Sequence, residues 1–405
     1  MTATARYIGY VIVMAPLLNS VSGIAIDLFA PSMPAIARAF GASAGQLQAS
    51  ITYTLLAYAA GQLCFGLIAD GRGRLAALYP GLALFVAGSL LAMLAQSLEA
   101  FVLGRLLQGF AVGACQVCAR ALLVDTVKGE RFASAVVWLS LAWGLGPVLA
   151  PFIGGLIDQA LGWRWNFALY AAYSGALLLL SLRLRESLPA RNSLGESLRG
   201  YRLILADRRF VCASLALGSS LSLFLVWSVI GPFVIEQRHG PAPALFGATA
   251  LAAGTAYLAG TLLNRVLLAR VPAHRRVIAG LALTALGTLA MAARPAGLHV
   301  PWLLAGVLVV NFGQGLLFAN VVAITLRLHP TRAGTTASLL GCAMMLCAGI
   351  ASHCASLLPL NANLVIAALF AVLAVLQAIG VGFVLRTSTV PEVNTHAHQA
   401  IARRP

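Results

Sequence analysis

The sequence predicts an all-α integral membrane protein with twelve transmembrane helices in two six-helix, pseudo-symmetric bundles. Three observations lead there. Of 405 residues, 60% are hydrophobic and 9% are charged, and the mean hydropathy is +0.90. Soluble globular chains carry about 25% charged residues, so this chain has too few to solvate an ordinary surface. Apolar runs of about 20 residues, the length that crosses a hydrocarbon core, recur twelve times, and one polar stretch at 184–209 divides them six and six.

The runs fall at 8–29, 46–69, 75–95, 100–126, 132–157, 164–183, 210–235, 244–264, 276–293, 300–327, 334–357 and 362–385. The first lacks a strongly charged leader and runs into Asp27 and Pro31, so it is read as a retained helix and not as a signal peptide. The resulting organisation is an N-terminal bundle at 1–183, a linker at 184–209, a C-terminal bundle at 210–388 and a tail at 389–405. Loops alternate in charge. The set containing Arg72, Arg74, Lys128, Arg131, Arg183 through Arg209, Arg270, Arg275, Arg276, Arg327 and Arg332, together with the termini, holds 21 of the 27 basic residues. The opposite set holds four: Arg38, Arg164, Arg238 and Arg294. The positive-inside rule therefore places both termini, the linker and the tail in the cytoplasm.

The net charge of +16 does not point to nucleic acid, because the arginines sit in short clusters between apolar runs and not on one stripe. The seven cysteines all lie in apolar runs, and Cys115-x-x-Cys118 has no βαβ context, so they read as small packing residues. His353 is the only histidine well inside a run and reads as a packing residue. His396 and His398 lie in the tail without further ligand candidates. No metal site or cofactor is expected.

One acid stands out. Asp27 ends the first run, where a carboxylate costs roughly 2.5–3.5 kcal/mol on insertion scales. Such residues usually face a polar cavity, so Asp27 is the candidate proton carrier. The plainer alternative is a cap for the bent helix end before Pro31. Arg105, in the fourth run, must find an anion or carbonyls if it is buried. Asp27 is its candidate partner, with snorkelling to the interface as the alternative.

Several segments carry a family resemblance. Gly66-Leu67-Ile68-Ala69-Asp70-Gly71-Arg72-Gly73-Arg74 resembles the G-x-x-x-D-R-x-G-R-R signature of the major facilitator superfamily, with Gly66, Asp70, Gly73 and Arg74 matching. Gly71 and Leu75 replace arginines of that signature, so the implied latch would be weaker or use Arg72. Arg105-Leu106-Leu107-Gln108-Gly109 resembles its R-x-x-Q-G motif. Gly146-Pro147-Val148-Leu149-Ala150-Pro151-Phe152-Ile153-Gly154-Gly155 is similar to its antiporter motif, associated with export. Asp27 through Pro34, Ala119-Arg120-Ala121 through Asp125, Gly231-Pro232-Phe233 through Glu236 and Ala333-Gly334 through Ser338 resemble segments of the bicyclomycin-resistance (Bcr/CflA) branch of drug exporters. A Gly66-x3-Asp70 and Gly260-x3-Asn264 echo suggests an internal repeat.

The resemblance implies the major facilitator fold and a monomeric, inner-membrane drug:proton antiporter for small amphipathic molecules, with proton coupling at Asp27 and Arg105. The implied gating set is Gly66, Asp70, Arg72, Gly73, Arg74, Gly146, Pro147, Pro151, Gly154 and Gly155. Candidate cavity residues are Asn19, Tyr53, Tyr58, Gln62, Gln116, Phe224, Trp227, Asn311, Gln314 and Asn320. Arg120 and Asp125 read as structural. A metabolite exporter or uptake symporter, and a non-transporting receptor or scaffold, are the competing expectations. No catalytic cluster occurs within a run, so no enzyme is expected.

Overall fold

Among the described residues the regular structure is helical throughout: fourteen α-helices and one 3₁₀ turn. The computed structural model describes residues 3–188, 194–293, 297–329, 333–359 and 362–387. The tail with His396 and His398, and the loop residues Arg294 and Arg332, lie outside them. The helices are α1 (Ala3–Ile24), α2 (Met33–Phe40), α3 (Ala44–Gly71), α4 (Arg74–Leu94), α5 (Leu98–Thr126), α6 (Glu130–Leu161) and α7 (Arg164–Ser181). After them come α8 (Leu194–Leu205), α9 (Arg208–His239), α10 (Pro243–Leu267), α11 (Ala273–Ala292), α12 (Val300–Leu326), α13 (Ala333–Ser356) and α14 (Asn363–Thr387).

All but α2 and α8 correspond to the twelve predicted runs. Eleven are long and apolar enough to cross a bilayer by length and composition. The twelfth, α7, has 18 residues and carries Arg164, Asn166, Tyr170 and Tyr173, which dilute its apolarity. Side-chain caps explain several starts. Ser43 and Gln46 form a reciprocal capping box at α3, Ser97 caps α5, and Asp207 caps α9.

The first run differs from expectation. Its helix stops at Ile24, residues 25–29 form turns, and Ala30–Ser32 form the 3₁₀ turn before α2. Pro31 and Pro34 lack the N–H groups that would continue the ladder. Asp27 therefore sits on an irregular corner and not on a helix. The linker also departs from a plain polar stretch, because it contains the amphipathic α8. Ile204 is buried, and α8 packs on α3 and α13, one helix from each half. His353 is exposed near the end of α13 and does not pack in the core.

The helices pack in two equivalent patterns. α1, α3, α4, α5, α6 and α7 correspond in order to α9, α10, α11, α12, α13 and α14. α5 holds α1, α3 and α4, as α12 holds α9, α10 and α11. The halves meet at α3–α13 and α6–α10, pairs that this correspondence exchanges. Glycines reveal the repeat. A Cβ at Gly61 would lie 2.0 Å from the Phe110 carbonyl oxygen, and one at Gly260 would lie 2.1 Å from that of Phe312. The echo is thus real in packing but shifted: Gly260 corresponds to Gly61, not to Gly66. Large apolar side chains such as Leu94, Leu179 and Leu289, each at least 67% exposed, cover the outer surface. In water such a surface would aggregate; hydrocarbon accommodates it.

Candidate functional site

Between the halves lies a cavity of about 660 Å³ of non-atom space, part of it open to solvent. Its wall combines Ser22, Asp27, Trp143 and Pro147 of the first half with Ser220, Phe224, Tyr257, Gln314, Phe318 and Met345 of the second. Asp27 is 2% exposed, and its Oδ1 accepts a hydrogen bond from the Ser228 hydroxyl on α9 at 2.8 Å. It is the only acid on that wall among the described residues.

Arg105 is fully buried, which excludes snorkelling, but it does not pair with Asp27. Its Nη1 donates to Gln108 Oε1 at 2.6 Å, its Nη2 donates to the Ala25 carbonyl at 3.0 Å, and the guanidinium lies 4.0 Å above the Phe29 ring. The break after Ile24 explains this. A helix end leaves carbonyls without partners, and Arg105 takes that of Ala25, while the Tyr170 hydroxyl adds a second donor, at 2.8 Å, to the Ile24 carbonyl, which also accepts from the Leu28 N–H at 3.1 Å. Arg105 therefore holds the corner that carries Asp27.

Of the other predicted cavity residues, Phe224 and Gln314 line the wall, and Phe224 packs edge-on against Tyr257. Gln314 also accepts from Ser220, donates to Thr284 at 2.9 Å and pairs with Gln377. The rest are placed elsewhere. Tyr53 is 43% exposed on the outer surface. Asn19 donates to the Leu139 carbonyl of α6, joining α1 to α6. Trp227 is buried against Phe246. Asn311 bonds back to the Val307 carbonyl within α12. Tyr58, Gln62 and Gln116 form a separate polar group near Ser22, in which Gln62 Nε2 donates to Gln116 Oε1. Tyr257, Ser220, Trp143 and Ser228 were missed, because serines and aromatics in apolar runs carry no distinguishing spacing.

Asn320 belongs to a latch. Its amide donates to Asn264 Oδ1 at 2.9 Å, and Arg276 donates to the same atom at 2.5 Å. This echoes a charged network in the first half, where Arg74 pairs with Asp70 and, at 2.9 Å, with Asp125. Arg74, not Arg72, is thus the latch cation. Glu186 completes the network by accepting the backbone N–H groups of Arg74 and Leu75 at 2.8 and 3.0 Å. Burial alone would raise the Glu186 carboxyl, but four backbone donors outweigh it and hold the group below the usual glutamate range. Gly73 has φ +125°, and a Cβ there would lie 2.4 Å from Glu186 Oε2. Gly66 faces the Tyr201 hydroxyl of α8, 3.6 Å from a built Cβ.

The Gly-Pro segment of α6 forms two seams. Gly146 abuts the backbone of α1 at Gly23, Gly154 abuts that of the following turn at Leu28, and Gly155 abuts Pro243 of α10. Pro151 lies against Gly247 of α10, and Pro147 faces the cavity. On the face opposite the linker, Arg38 of α2 forms an ion pair with Glu236 of α9, which joins the halves.

Comparisons with known proteins agree with this architecture. The profile of the Major Facilitator Superfamily matches residues 17–352. The chain is 28% identical over 360 residues to an uncharacterized MFS-type transporter, YdgK, of Bacillus subtilis, covering 86% of this chain and 87% of that protein. It is 34% identical over 216 residues to Multidrug resistance protein MdtL of Escherichia fergusonii, covering 53% of this chain and 55% of MdtL, about half the length of each. Among solved structures, a D-xylose–proton symporter superposes with TM-score 0.72 at 16% identity, over 95% of this chain and 98% of that one. The peptide transporter POT superposes with TM-score 0.72 at 13% identity, over 96% and 98%. The chain belongs to the Major Facilitator Superfamily of membrane transporters.

Proposed function

We propose that this transporter is a proton-coupled exporter of small amphipathic compounds, of the bicyclomycin-resistance type. It acts as a monomer in the inner membrane with both termini and the α8 linker in the cytoplasm. The observation that carries the reading is Asp27: the one acid of the cavity wall among the described residues, on an irregular corner, bonded to a residue of the other half. Partial identity to MdtL and the Gly-Pro seams of α6 support export.

In this reading the ionised carboxylate accepts from Ser228 and favours closure on the face opposite the linker. Protonation from that face weakens the acceptor and lets the halves rock. A polar or cationic substrate entering from the cytoplasm then competes with the proton for the same group. Arg105 takes no proton. It fixes the Asp27 corner through the Ala25 carbonyl. The drive suffices, since one charge crossing 100 mV provides about 2.3 kcal/mol and a tenfold gradient requires about 1.4 kcal/mol.

The test is purified protein in liposomes carrying a pH-sensitive dye and a panel of amphipathic drugs. Drug addition should release protons in the wild type and not in Asp27→Asn at equal incorporation. Inward movement of a nutrient with protons would replace this reading by a symporter, and no proton movement with any compound would favour a receptor or scaffold. Normal proton-linked flux in Asp27→Asn would leave Asp27 as a helix-end cap.

A further inference from the structure

Arg120 is a cation with an unusual position. It lies near the linker-face end of α5, on the helical face that carries Gly113 and Gln116, seven and four residues earlier. That face packs on α3, where a Cβ at Gly113 would lie 2.3 Å from Gly61. Arg120 is exposed, yet its guanidinium lies within electrostatic range of the Tyr58 phenol, which is 1% exposed. Its helical face packs on α3, so this exposed side chain lies at the α3–α5 seam beside the buried phenol.

Among the described residues no acid pairs with it. Of the described carboxylates at that end, Asp70 and Asp125 are held by Arg74, and Glu186 accepts the backbone N–H groups of Arg74 and Leu75. An arginine at membrane depth without a counter-ion is expensive and usually functional. The neighbouring polar atoms are also unspent. The Tyr58 hydroxyl and Gln62 Oε1 are buried without a hydrogen-bond partner, although Ser22 and Gln62 stand near the phenol. Gln62 Oε1 lies 2.8 Å from where a Cβ at Gly341 of α13 would sit, so the cluster reaches the seam between the halves. Ser22 links it to the wall of the Asp27 cavity.

We infer that Arg120, with Tyr58, Gln62 and Gln116, forms a subsite for an anionic group, above all a carboxylate, of the transported compound. The inference rests on the transport reading and extends it. The cargo includes amphipathic acids and zwitterions whose cationic or polar end reaches Asp27 while the acid end meets Arg120. A guanidinium and a phenol give one carboxylate two donor types at once, the arrangement arginine serves best.

The test is equilibrium binding to purified protein in phosphatidylcholine nanodiscs, read by fluorescence anisotropy with rhodamine B and its ethyl ester, which differ only in the free carboxylate. The wild type should bind the acid more tightly than the ester. Arg120→Gln should weaken the acid about tenfold or more and leave the ester unchanged. Arg120→Lys should recover part of the loss, and Tyr58→Phe should weaken the acid by a smaller factor. Equal affinity of the wild type for acid and ester, or equal weakening of both by Arg120→Gln, overturns the subsite. An acid preference that vanishes in phosphatidylglycerol nanodiscs assigns Arg120 to lipid headgroups and also overturns it. Binding requires no gradient, so discrimination without proton release would fault the exporter reading alone. Proton release without discrimination would fault the subsite alone.

Discussion

The Ser228 hydroxyl donates to the Asp27 carboxylate at 2.8 Å, and the two residues belong to opposite halves of the molecule. Hydrogen bonds to charged groups contribute about 1.5–3 kcal/mol. Loss of this one should favour opening of the face opposite the linker by about tenfold to a hundredfold. The check is reaction of a cysteine at Ala35, beside Arg38 and Glu236, with a membrane-impermeant maleimide on a cysteine-free background. Ser228→Ala should label faster than its parent. Unchanged labelling would make the Asp27–Ser228 bond a static contact with no bearing on closure.

Backbone approach makes Gly154 the least replaceable glycine of the α6 segment. A Cβ there would lie 1.7 Å from the Leu28 carbonyl oxygen, and neither α6 nor the turn can yield without moving the Asp27 corner. Gly154→Ala should cost about 1–3 kcal/mol or more and abolish flux even where protein survives purification. Gly175 of α7 is the control, since a Cβ there meets nothing within 4 Å. Gly175→Ala should be neutral or stabilise by up to about 1 kcal/mol. Thermal unfolding in detergent separates the two, and equal melting temperatures would refute the packing argument.

The helices were legible because length and apolarity decide them, while the caps at Ser43, Ser97 and Asp207 that set several starts emerge only in the structure. Asp27 was legible because a carboxylate in an apolar run is costly and so stands out. Its contacts were not. Nothing in the spacing says that the chain breaks after Ile24, frees the Ala25 carbonyl and thereby gives Arg105 a neutral partner. Asn320 and Tyr53 failed for a related reason. In a helix polar on no consistent face, periodicity does not separate cavity, seam and lipid. Arg74, Asp125 and Glu186 converge from three distant segments, and only the fold brings them together.

Glu186 gives a pH signature outside the membrane. Its carboxyl titrates below the usual glutamate value because burial is outweighed by the N–H groups of Arg74, Leu75, Leu188 and Ser187. A group with a depressed folded pKa adds stability above its unfolded value and loses it as pH falls through the folded one. The linker's hold on α4 should thus persist at neutral pH and down past the ordinary glutamate range of about 4.3, and release below it. Hydrogen exchange at residues 183–188 should stay slow to that point in the wild type. In Glu186→Gln it should be fast at every pH. Release near neutral pH would mean that other groups hold the linker.

The Arg38–Glu236 pair closes the same face as Ser228, but its setting is different. Arg38 is 53% exposed and Glu236 is 24% exposed. Exposed ion pairs contribute about 0–1 kcal/mol and are screened by salt. Arg38→Gln should therefore raise maleimide labelling at Ala35→Cys by about fivefold at most, well short of the Ser228→Ala effect. Raising salt to 1 M should have a comparable effect on the wild type, because the Debye length falls to about 3 Å. Exchange of the two charges, Arg38→Glu with Glu236→Arg, should restore slow labelling. If Arg38→Gln exceeds Ser228→Ala, closure is governed by the surface pair, and the Asp27 corner loses its claim to control it.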